Sequence, residues 1–65
     1  MRLKALRESR GFTQKVVALE IGISESNYAR YERGVREPDI ATLKQLSKFF
    51  SVSIDHIVCN DRSSQ

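Results

Sequence analysis

The sequence predicts an all-α fold, a compact domain of five helices. Three observations predict it. Apolar residues recur at three- and four-residue spacing, which is the period of a helix and not the alternation of a strand. Gly11, Gly22 and Gly34 each follow such a segment, where a left-handed residue ends a helix. Thr13, Ser24, Asp39 and Ser53 each stand just before the next segment, where an N-cap belongs. No repeat and no low-complexity run interrupts this pattern.

The first helix is expected over residues 2–9, with Leu3, Leu6 and Arg7 on one face. The second spans residues 14–21 and turns Val17, Ala18 and Ile21 inward. The third spans residues 25–33, with Tyr28, Ala29 and Glu32 inward and Tyr31 at the border. A linker follows Gly34, and Pro38 biases Glu37 away from helix. The fourth helix covers residues 40–50, with Leu43, Leu46, Ser47 and Phe50 on one stripe. Val52 leads to a short fifth helix over residues 54–58. Residues 1–59 thus read as the domain and residues 60–65 as a polar flexible tail that frays.

Size excludes several functions. A chain of 65 residues forms one domain and buries only about 60% of the surface its unfolded form exposes. That leaves no room for a deep catalytic cleft. Ser24, Ser26, His56 and Cys59 are assigned to caps, an outer helix face and the last helix, so no nucleophile–base set emerges and an enzyme is not expected. One Cys and one His cannot supply the four ligands of structural zinc, and neither metal nor cofactor is implied. His56 reads as a surface residue and Cys59 as an inert thiol. No segment approaches the roughly 20 apolar residues of a membrane span, and no secretory signal pattern is present, so cytoplasm is the default compartment.

Charge is divided unevenly. Residues 1–36 carry eight Lys/Arg against four acids, whereas residues 37–65 carry three against four. A polyanion would bind the basic half, although a solvated basic surface gives the same balance. Within that half, Gly22-Ile23-Ser24 is a tight turn between two helices, as in DNA-binding helix-turn-helix units. The helix after it presents Glu25, Ser26, Asn27, Arg30 and Arg33 on its outer face. A helix entering the major groove needs short hydrogen-bonding side chains first and cations further on. An ordinary amphipathic helix with a wet face is the competing reading.

Gly-Phe-Thr-Gln (11–14), Gly-Ile-Ser (22–24), Tyr-Glu-Arg-Gly (31–34), Glu-Pro-Asp (37–39), Thr-Leu (42–43) and Val-Ser-Ile-Asp (52–55) follow in order. This succession resembles the phage-repressor/Cro (Xre-type) family of bacterial helix-turn-helix regulators, from Leu3 to Val58. The resemblance implies a lambda-repressor-like fold and a sequence-specific DNA-binding regulator, most simply a repressor on a near-palindromic operator. It implies that Gln14 bonds a DNA phosphate and braces the recognition helix. It places Glu25, Ser26 and Arg30 at base-reading positions and Asn27 where backbone or base is reached. It pairs Arg7 with Glu32, and both also lie on inward faces.

Side-chain chemistry adds detail. Arg30 matches guanine O6 and N7, and Asn27 matches adenine. Glu25 has three readings: it accepts from cytosine, it repels phosphates, or it only complements the helix dipole. Lys15, Arg33 and Arg36 read as phosphate contacts. Val16 and Leu19 are apolar where relatives carry polar residues, and read either as scattered surface side chains or as a protein-partner patch. The latter belongs to a second hypothesis, an antitoxin-like or adaptor protein. Double-stranded DNA and a second copy of the chain are the expected partners. With no further domain expected after the fifth helix, Phe49, Ile54, Ile57 and Val58 are the candidate dimer contacts, Phe49 and Val58 first, since Ile54 and Ile57 also read as part of the monomer core.

Overall fold

The computed structural model describes residues 1–58 and consists there of α1 (Leu3–Ser9), α2 (Gln14–Ile21), α3 (Glu25–Arg33), α4 (Ile40–Phe50) and α5 (Ile54–Val58). Cys59 and the polar tail lie outside the described residues. No strand occurs among the described residues. Each middle helix starts on the cap its sequence offers. The side chain of Thr13 accepts from Val16 N, that of Ser24 from Asn27 N, and that of Asp39 from Thr42 N. Such caps satisfy backbone donors that the first helical turn leaves open.

Helix ends follow the same logic with one departure. Gly22 and Gly34 close α2 and α3 at φ 80° and φ 77°. The corresponding residue after α4 is Ser51, at φ 58°. A serine there bears the Cβ strain of the left-handed region, and nothing in its residue type announces it. The Ser47 hydroxyl donates to the Val52 carbonyl across this bend. Arg2 stands just before α1 as its N-cap, at φ −101° and ψ 18°; its carbonyl accepts from Leu6 N at 2.9 Å and its N–H donates to the Ile57 carbonyl at 2.8 Å. That bond ties the beginning of the domain to α5.

Leu3, Leu6, Val17, Ala18, Ile21, Tyr28, Leu43, Leu46, Phe50 and Ile57 form one core. α2 packs on α3 and α4, α1 on α3, and α5 on α4. Ile57 is 0% exposed, so its side chain belongs to the core and is unavailable as a dimer contact. Ile54 is partly buried against the same core. Phe49 is half-buried, with its ring 5.2 Å from that of Phe12 and 5.0 Å from that of Phe50. The Arg10 guanidinium lies 5.5 Å from the centre of the Phe50 ring, which supplies a modest cation–π attraction.

Candidate nucleic-acid interface

The polar face begins with how α3 is held. The Gly22 and Ile23 N–H groups return to the Leu19 and Ala18 carbonyls at 3.2 and 3.0 Å. This closes α2 and sends the chain directly into α3. Tyr28, at 0% exposure, anchors the inner side of α3 in the core. Glu25, Ser26, Arg30 and Arg33 are exposed on the other side, and Asn27 is half-buried at the margin. The three-residue step from Tyr28 to Tyr31 keeps the second tyrosine at the border, also half-buried.

Glu32 locks α3 to two other helices. Its carboxylate accepts from Arg7 Nε at 2.6 Å, from Arg7 Nη2 at 3.2 Å and from Gln14 Nε2 at 3.0 Å. Arg7 Nη1 donates in addition to the Phe12 carbonyl at 2.8 Å. The side chains of Arg7 and Glu32 are 11% and 3% exposed, so the fork is nearly dry. Burial pushes the Glu32 pKa up, but the hydrogen bonds from Arg7 and Gln14, with the Tyr28 hydroxyl close by, outweigh it, and the net position is below the usual carboxylate range. The hydrogen bond to Glu32 raises Arg7 in turn. The Tyr28 hydroxyl is buried at the same place without a partner at full hydrogen-bond geometry. Burial first, and the Glu32 carboxylate next, push the Tyr28 phenol well up.

The structure therefore brings Arg7, Gln14 and Glu32 together, and separately Asn27 and Arg30. Arg30 Nη1 donates to Asn27 Oδ1 at 3.2 Å. The three-residue spacing on one helix allows such contacts, but the type of pairing was not legible from composition. Lys15, Arg33 and Arg36 are exposed around α2 and the end of α3. Val16 and Leu19 are 39% and 75% exposed on α2. Leu19 and Phe49 line one shallow groove between α2 and α4. Val58 lines a different depression, with Met1, Tyr31, Pro38 and Leu43. Phe49 and Val58 are thus not neighbours in a single depression.

The helix-turn-helix family profile matches residues 3–57, nearly all of the described chain. The chain belongs to this family. As a helix-turn-helix domain it is similar to the HTH-type transcriptional regulator ImmR of Bacillus subtilis, with 41% identity over 98% of this chain and 50% of that protein. It is 42% identical to the SPbeta prophage-derived uncharacterized HTH-type transcriptional regulator YonR of the same organism, over 88% of this chain and 53% of that one. It is 32% identical to the cryptic phage CTXphi transcriptional repressor RstR of Vibrio cholerae, over 97% of this chain and 57% of that one. The chain spans about half the length of these curated relatives. No solved structure matches it. Among the described residues, no helix is long and apolar enough to cross a membrane.

Proposed function

We propose that this helix-turn-helix domain is the DNA-binding part of a transcriptional regulator, and that it lays the outer face of α3 in the major groove. The observation that carries this reading is the division of α3. Tyr28 and Glu32 fix one side to the protein, while Glu25, Ser26, Arg30 and Arg33 are left in solvent. A rigid helix with a polar outer face can dock without rearranging, which lowers the entropy cost of binding. Glu25, Ser26, Asn27 and Arg30 face base edges. Lys15, Arg33, Arg36 and the free N–H of the Gln14 amide meet phosphates, which position the protein without reading sequence.

Repression of a promoter in the bacterial cytoplasm is the simplest role, in keeping with the phage repressor among the relatives. Two copies occupy a near-palindromic site, because one recognition helix reads too few base pairs to choose a site in a genome. The dimer contact centres on Val58, which is 39% exposed, and on the half-buried Tyr31 beside it. A protein partner at Val16 and Leu19 is a second reading, favoured by the 75% exposure of Leu19. The two readings separate in a titration of labelled duplex DNA at increasing salt. Phosphate contacts from about four to six of Lys15, Arg30, Arg33, Arg36 and their neighbours on each copy make affinity fall steeply with salt. A flat response, or no binding alongside a co-purifying protein, would sink the DNA-binding reading.

A further inference from the structure

Asn27 and Arg30 both stand on the outer side of α3, and each alone suits a different base. Asparagine suits adenine, because its amide both accepts from N6–H and donates to N7, whereas arginine suits guanine O6 and N7. The structure joins them, with Arg30 Nη1 3.2 Å from an Asn27 side-chain atom. That atom must be the oxygen, since a guanidinium has donors only. We infer that Asn27 and Arg30 act as one reading unit: Asn27 is a positioning residue that aims Arg30 at a single guanine, and it does not read an adenine of its own.

Three features support this. Asn27 is the stiffer member: it is half-buried, and its backbone N–H is held by the Ser24 hydroxyl at 3.1 Å. Its side chain therefore leaves a fixed point on the first turn of α3, whereas Arg30 is exposed on a long, flexible stem. Orienting that stem before binding removes part of the rotamer entropy otherwise lost at the interface. The donor inventory also closes. Arg30 gives one Nη1 proton to Asn27 and keeps Nε–H and Nη2–H, the parallel pair that matches the two acceptors of guanine. Asn27 Oδ1 spends one of its two lone pairs on this contact, so reading an adenine edge would have to share that oxygen with Arg30.

This inference rests on the DNA-binding reading above, and the test separates the two. Duplexes are selected from a randomised pool by the unaltered chain. Affinities are then measured for single-base variants of the selected site with the unaltered chain, Arg30→Ala, Asn27→Ala and Asn27→Asp. The selected half-site should contain a guanine whose replacement costs about tenfold or more in affinity. Arg30→Ala should flatten that preference to within about threefold. Asn27→Ala should weaken the preference at the same base pair and leave every other position unchanged. Asn27→Asp keeps an acceptor in place, so it should retain the guanine preference while lowering affinity evenly through its negative charge. A merely structural role for Asn27 would not give preference at one base pair and rescue by the acceptor-bearing variant. Loss of an adenine preference elsewhere in Asn27→Ala, or an intact guanine preference in it, would overturn the inference alone. Failure to select any duplex would overturn the DNA-binding reading and this inference with it.

Discussion

At Glu32, three N–H groups from two other helices meet one carboxylate. A nearly dry ion pair is a poor source of net stability, because desolvation offsets attraction, but removing one partner strands the other. Glu32→Ala should therefore destabilise the domain by about 3 kcal/mol, and Arg7→Leu added to it should restore part of that loss. Thermal melts of the two single variants and the double variant measure the coupling; additive losses would contradict it. The pH dependence has a definite sign. The folded-state pKa of Glu32 lies below its ordinary value, which in unfolded chains is about 4.3. Its contribution is complete above that range and is lost as pH falls through the lowered folded value. Glu32→Gln should consequently flatten the acid limb of a pH–stability curve, and an unchanged limb would show that other carboxylates govern it.

At the scale of elements, helix boundaries were legible because caps and terminal glycines are local chemistry. Ser24 and Gly22 announce the turn before α3 on either side of Ile23. Arg2 caps α1 and is not its first helical residue, a one-position difference that residue type does not mark, and its long-range bond to Ile57 is likewise invisible to any local pattern. Ile57 lies in the core, while Phe49 stays half-buried at its edge beside the Phe12 and Phe50 rings, and only the packing of α5 and of Phe12 decides which of these side chains is covered. The pairing of Arg7 with Glu32 reached across 25 positions, and inward-facing charges of opposite sign, together with the family resemblance, pointed to it. Two substitutions test the turn chemistry. A Cβ at Gly22 meets nothing within 4 Å, so Gly22→Ala should cost only the backbone strain, about 1 kcal/mol. Ser51 already bears that strain at φ 58°, and Ser51→Gly should stabilise by about 0.5 kcal/mol after the entropy cost of glycine. Urea melts would contradict this if Ser51→Gly lowered the midpoint.

For the whole molecule, the arrangement of surfaces decides how two copies would share one duplex. The depression around Val58 also includes Tyr31, Gly34 and Arg36, at the end of α3. A two-fold contact there would leave both copies of α3 facing the same side of the duplex, one for each of two successive major grooves. Half-sites would then lie about 34 Å apart, one helical turn. Such a patch is small, and small interfaces are weak, so DNA should drive the dimer by mass action. Val58→Asp should reduce operator affinity at least tenfold (~1.4 kcal/mol) while the melting temperature stays nearly constant, because Val58 is 39% exposed. Sedimentation of protein–duplex mixtures at one copy per site, with affinity unaffected by Val58→Asp, would contradict the dimer.

Chemical protection of a selected duplex tests whether α3 enters the major groove. Dimethyl sulfate methylates guanine N7 in the major groove and adenine N3 in the minor groove. With the protein bound, guanine N7 should be protected in two successive major grooves on one face, about 34 Å apart. Adenine N3 should remain reactive throughout. Arg30→Ala should lose the strongest of the guanine protections. Protection of adenine N3, with guanine N7 fully reactive across the bound site, would place α3 outside the major groove.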